Sequence, residues 1–272
     1  FYSKMSMNIN GETEGTGTLS ITADNEGLDS ELHLTINGGQ INSQAQNDGI
    51  NTNEDNVSVT TINGGALQIN AGLGEEGDGI DSNGHIVING GAVYSMASDH
   101  SPDGGLDADG EILINGGQVA ALGARNDAVS SDSKQLYLEL SFASALPAGA
   151  LVELEGTSLS FTLEKGARSI LYSAPELEQD VSYTLKVDGA VQQYTGHTSG
   201  GFGGGRPGGM DVQPPQMPDG QQPPELPEGQ NHPQPPQGGP GQFHIDGEQG
   251  EPSTDFMLTD SVRSFSGIAE QK

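Results

Sequence analysis

The tetrapeptide Ile-Asn-Gly-Gly occurs four times, at 36–39, 62–65, 88–91 and 114–117, each copy beginning 26 residues after the one before. A unit of that length cannot bury a core alone, so a chain with such a period folds as a stacked array or solenoid. After each copy small and apolar residues alternate: Ile41, Ser43, Ala45; Leu67, Ile69, Ala71; Val93, Ser95, Ala97; Val119, Ala121, Gly123. A period of two is strand. Gly-Gly after Asn supplies a sharp corner, since both residue types tolerate positive φ.

A looser motif lies upstream of each copy, at 25–29, 47–51, 77–81 and 103–107, with a weakened fifth at 126–130. Its copies start 22, 30, 26 and 23 residues apart, so the length variation falls in connections while the strands keep register. Stacking at roughly 4.8 Å turns equivalent positions into columns. Ile36, Ile62, Ile88 and Ile114 become an inward aliphatic ladder, and Asn37, Asn63, Asn89 and Asn115 an amide ladder that turn chemistry alone explains.

The other corner stacks like charge on like. Its columns read Asn25, Asn47, Gly77, Asp103, Asn126; then Glu26, Asp48, Asp78, Gly104, Asp127; then Asp29, Asn51, Asp81, Asp107, Ser130; then Glu31, Asn53, Asn83, Asp109, Asp132. Two carboxylates at coil spacing repel by about 3–4 kcal/mol at an effective dielectric near 20. No Lys or Arg lies between Lys4 and Arg125 to relieve them. A divalent cation would, and oxygen-only ligation in a flexible cage selects calcium over zinc, copper or magnesium. The candidate ligands are Asp48, Asn51, Asp78, Asp81, Asn83, Asp103, Asp107, Asp109 and Asp127. A solvated acidic face is the competing reading; placement by repeat, rather than scatter, argues against it. His33, His85 and His100 are read as sharing no column, which leaves a His metal site unsupported.

With 38 Asp and Glu against 9 Lys and Arg, the formal net charge of −29 repels nucleic acid and anionic membranes. No Cys is present, which excludes a disulfide framework and thiolate metal sites. No apolar run approaches the length of a membrane-spanning helix, so no membrane insertion is expected. The chain opens inside what reads as a strand, as expected of a fragment whose signal peptide and earlier coils lie upstream.

Residues 1–134 are expected to form the coils. Residues 135–197 lose the period but keep alternating segments and form a β-rich cap that continues the solenoid and covers its open end. Residues 198–252, with twelve of the fifteen prolines, cannot bury a core and are expected to be disordered or polyproline-like. Residues 253–272 carry Phe256, Leu258, Val262, Phe265 and Ile268, a short tail able to dock back as one more strand. The fold class is all-β: a parallel β-helix with a C-terminal β-rich cap, expected to be monomeric.

Asp78-Gly79-Ile80-Asp81-Ser82-Asn83-Gly84 followed by Ile86-Val87-Ile88-Asn89-Gly90-Gly91 resembles a calcium-binding, right-handed parallel β-helix family of carbohydrate-binding proteins. Members bind cellulose and acidic sugars and are similar in fold to polysaccharide lyases. The opening Tyr2-Ser3-Lys4 with Gly17-Thr18-Leu19, and the later Ser173-Ala174-Pro175-Glu176-Leu177 with Tyr183-Thr184-Leu185, fit the same family, so the likeness runs from residue 1 to about 195. It implies the right hand of the helix, calcium at Asp78 and Asp81, and a carbohydrate ligand. Gly104 and Ala108 depart from the pattern in the next coil.

The chain has no Trp, and the repeats offer mainly Tyr94 as an outward aromatic, so no stacking platform for crystalline cellulose is visible. An acidic polysaccharide such as polygalacturonate, bridged through calcium, suits the acidic columns better. A calcium-dependent lyase needs a Lys or Arg base, and only Arg125 and Lys134 stand near the last coil. A structural surface stalk needs no sugar at all. The expectation is a non-enzymatic, calcium-dependent polysaccharide binder, secreted or on the bacterial cell surface, where calcium levels suit an exposed site.

Overall fold

The computed structural model describes residues 1–9, 17–100 and 102–193 and the backbone of 256–257 and 262–268. The Pro-rich stretch 198–252 lies outside the described residues. Three parallel sheets of stacked strands form a β-solenoid of about four turns. The first sheet holds Tyr2–Ser3, Leu28–Ser30, Ile50–Thr52, Ile80–Ser82 and Leu106–Ala108. The second holds Met7–Ile9, His33–Ile36, Val59–Ile62, His85–Ile88 and Ile112–Ile114, and the third Thr18–Ala23, Gln40–Ala45, Ala66–Asn70, Ala92–Met96 and Gln118–Gly123.

Register follows the repeat. Ile36 pairs with Ile62, Ile62 with Ile88 and Ile88 with Ile114, and all four are fully buried in the solenoid core. Each such side chain contributes about 1.5–3 kcal/mol by leaving water. One step on, Asn37 donates its amide to Asn8, Asn63 to Asn37, Asn89 to Asn63 and Asn115 to Asn89, at 2.8–3.1 Å. The second glycine of each corner has φ between 91° and 99°. A Cβ on Gly91 would stand 2.7 Å from the Gly65 carbonyl oxygen, so this corner requires glycine both for its backbone and for its approach to the next coil.

Beyond the last coil the pairing turns antiparallel. Ala167–Ser173 pairs antiparallel with Gln118–Gly123 and with Tyr137–Leu146, and Val262–Ile268 adds in parallel to the latter. A fourth sheet joins Ser160–Thr162, Leu151–Glu155, Ser182–Val187 and Ala190–Val191, with Phe256–Met257 pairing Ser182–Val187. Tyr137 and Leu171 close the end of the solenoid core. A second core joins the outward residues Met96, Ala120 and Leu122 of the third sheet to Leu138, Leu140, Val152, Tyr172 and Leu185. The C-terminal segment therefore covers the outer face of the last coils as well as their end.

Candidate acidic corner

The corner between the third and first sheets collects the acidic columns. Gly27, Gly49, Gly79 and Gly105 enter it so tightly that a Cβ on Gly79 would strike the Ser95 hydroxyl and the Gly105 carbonyl. That close passage brings the flanking carboxylates of successive coils together.

The second column stacks as expected through its regular coils. The Asp48 carboxylate accepts the Asp78 backbone N–H at 2.8 Å, and the Asp78 carboxylate accepts the Gly104 N–H at 2.6 Å. Asp103, in the first column, accepts the Gly77 N–H at 2.7 Å. Each of these three carboxylates thus satisfies an amide of a neighbouring coil with one of its oxygens. In the third column Asp81 stands in register between Asn51 and Asp107. In the fourth, the Asn83 and Asp109 backbones follow Asn53 in the same step, bonding to the Thr52 and Ser82 carbonyls.

The weakened fifth motif sits differently from its sequence alignment. Asp127 donates its backbone N–H to Leu106, and Arg125 holds the Asp127 carboxylate at 2.6 Å and that of Asp107 at 3.0 Å. Asp127 therefore lies beside Asp107 and not in line with Asp78. The irregular final coil and its guanidinium, which draws both carboxylates to itself, account for the shift. His33 and His85 also correct the sequence reading: both pair with Val59 and so share one column. Their Nδ1 atoms accept the backbone N–H of Val59 and Glu111, at 3.2 and 2.9 Å, which is a role in the backbone ladder.

Burial without a counter-charge dominates the electrostatics. Desolvation, reinforced by neighbouring aspartates, pushes Asp48 up to about 6 and both Asp78 and Asp81 up to about 7. The neighbours of Asp81 include Asp48, Asp107 and Asp109. Asp107 is raised by burial and by Asp127, with Arg125 opposing. Asn51 is buried, and its Oδ1 has no hydrogen-bond partner among the described residues. An orphaned amide oxygen between like-charged carboxylates fits a hard cation in kind, because such an ion takes amide, carboxylate and carbonyl oxygens together. No three His, Cys, Asp or Glu among the described residues converge as a metal group. A set built on Asp81, Asp107 and the Asn51 amide has only two carboxylates and does not require such a convergence.

Lys165 was not foreseen at this end of the coils. Its ammonium donates to the Ala71 carbonyl, and burial lowers it to about 8. Nothing in the 26-residue period could announce it, since it comes from the non-repeating segment. Among the described residues no helix is long and apolar enough to cross a membrane.

No curated protein and no solved structure matches the chain. A family model described as carbohydrate-binding domain-containing protein matches residues 2–141, which takes in every strand of the solenoid and all nine acidic-corner candidates. On that match, which spans more than half of its length, the chain belongs to this carbohydrate-binding domain family.

Proposed function

We propose that the acidic corner binds calcium and, through it, an acidic polysaccharide such as polygalacturonate, with the protein acting outside the cell as a receptor without catalysis. The observation that carries this reading is the stack of Asn51, Asp81 and Asp107 in register, in which two raised carboxylates follow an unpaired buried amide oxygen along the column. Asp81, Asp107 and the Asn51 Oδ1 would hold the ion, with Asp48, Asp78, Asp103, Asp109, Asn83 and Asp127 around it. Bound calcium would give a uronate carboxylate a positive partner on a surface that otherwise repels it. The chain's own part is to hold these oxygens on backbone that cannot splay, because each coil is hydrogen-bonded to the next.

Titration of polygalacturonate oligomers in millimolar calcium, then in chelator, tests the reading. Binding is expected in calcium and lost in chelator, and Asp81→Ala with Asp107→Ala should abolish it; binding unchanged by chelator would overturn it. A lyase is disfavoured by the placement of Lys165, whose ammonium is turned into the Ala71 carbonyl. Incubation with polygalacturonate should release no unsaturated uronate.

A further inference from the structure

The C-terminal sheet does not close completely over the third sheet of the solenoid. Between them lies an open cleft of about 540 Å³. Its floor is the outward face of four coils. One column of that floor runs Gln40, Ala66, Ala92, Gln118, and the next runs Asn42, Gln68, Tyr94, Ala120. Its wall is 158–161 of the fourth sheet, with Tyr172 behind.

The chemistry of this lining differs from that of the acidic corner. Side-chain amides, hydroxyls and rings line it, and among the described residues no charged one does. Tyr94 and Phe161 meet edge to face, with centroids 5.5 Å apart. Two carboxylates just outside fix the polar groups: Glu164 accepts from Gln68 and Asn70, both at 3.0 Å, and Glu176 accepts from Tyr172 at 2.7 Å and from Ser158. Gln118 in turn donates to Ser158 at 2.6 Å. Ala66 and Ala92, small and exposed, keep the middle of the floor open between the glutamines.

We infer that this cleft is a second glycan site, for a segment of uncharged polysaccharide, and that it works without calcium. Rings offer an apolar face to the C–H side of a pyranose, while fixed amides take its hydroxyls as donor and acceptor at once. An anionic sugar would meet no cation among the described lining residues and would face the charge of the whole chain. The four floor strands span about 14 Å at a strand spacing of roughly 4.8 Å, which accommodates about three linked pyranoses along the solenoid axis. This inference rests on the carbohydrate-binding membership of the chain and is independent of the calcium reading.

The test is titration calorimetry of the whole chain with neutral β-linked gluco-oligosaccharides of two to six units, in chelator. Affinity should rise from the disaccharide to the trisaccharide and then level off. Ala92→Tyr fills the floor at an exposed position and should weaken binding by about tenfold or more, as should Phe161→Ala, with folding of each variant checked by its melting curve. Asp81→Ala with Asp107→Ala should leave this binding intact while removing uronate binding. No binding of any neutral oligomer, or binding that needs calcium, or binding that Ala92→Tyr leaves untouched in a folded protein, would each overturn the assignment.

Discussion

Gly91 and Gly149 share a positive φ, at 92° and 87°, and differ in their surroundings. A Cβ at Gly149 meets nothing within 4 Å, whereas at Gly91 it would press on the Gly65 carbonyl. Gly149→Ala should therefore cost only the left-handed strain, about 1–2 kcal/mol. Gly91→Ala should cost about 1–3 kcal/mol more from overpacking against backbone. Urea unfolding of the pair isolates the contact; equal losses would refute the tight corner. Arg125 is half exposed, so its pairs with Asp107 and Asp127 are discounted to about 1 kcal/mol by solvent screening. Arg125→Ala should lower the melting temperature in chelator and enlarge the rise that calcium produces, since it exposes the carboxylates to one another. A smaller calcium response in that variant would count against the cation reading.

At the scale of elements, what repeats was readable and what does not repeat was not. The isoleucine and asparagine columns recur every 26 residues, and their stacking followed from the period alone. His33 and His85 are 52 residues apart, twice the period, but Val59 between them hid the column. Asp127 was misplaced because the last coil is irregular, and an irregular coil answers to local pairing with Arg125. The connection after Ser160–Thr162 reaches back some 95 positions, through Glu164 to Gln68 and Asn70, a partnership without any local sequence signal. Glu164→Ala removes both bonds at an exposed site and should cost about 1–2 kcal/mol. It should also loosen the cleft wall, seen as faster amide exchange in 158–162; unchanged exchange would show that the wall stands without this tie.

For the whole molecule, the aspartates of the corner set how stability depends on acidity. Asp48, Asp78 and Asp81 have folded values of about 6 to 7, above their ordinary unfolded ones. The folded state therefore binds more protons than the unfolded state between about pH 4 and 7, and stability falls as pH rises through that window. Without calcium the melting temperature should be higher at pH 5 than at pH 8. Calcium bound as proposed would compete with the protons, so it should add stability at pH 8 and little at pH 5. A melting temperature that climbs from pH 5 to 8 in chelator would contradict the desolvation of these groups without a counter-charge. The stacking has a mechanical consequence too. Within the regular repeats each coil is bonded along its length to its neighbours, so a pull on the first strand loads one seam at a time. The protein should then yield by peeling, in low and evenly spaced force steps, each paying out about 26 residues or roughly 90 Å of chain, until the antiparallel segment after Gly123 takes the load and resists in shear.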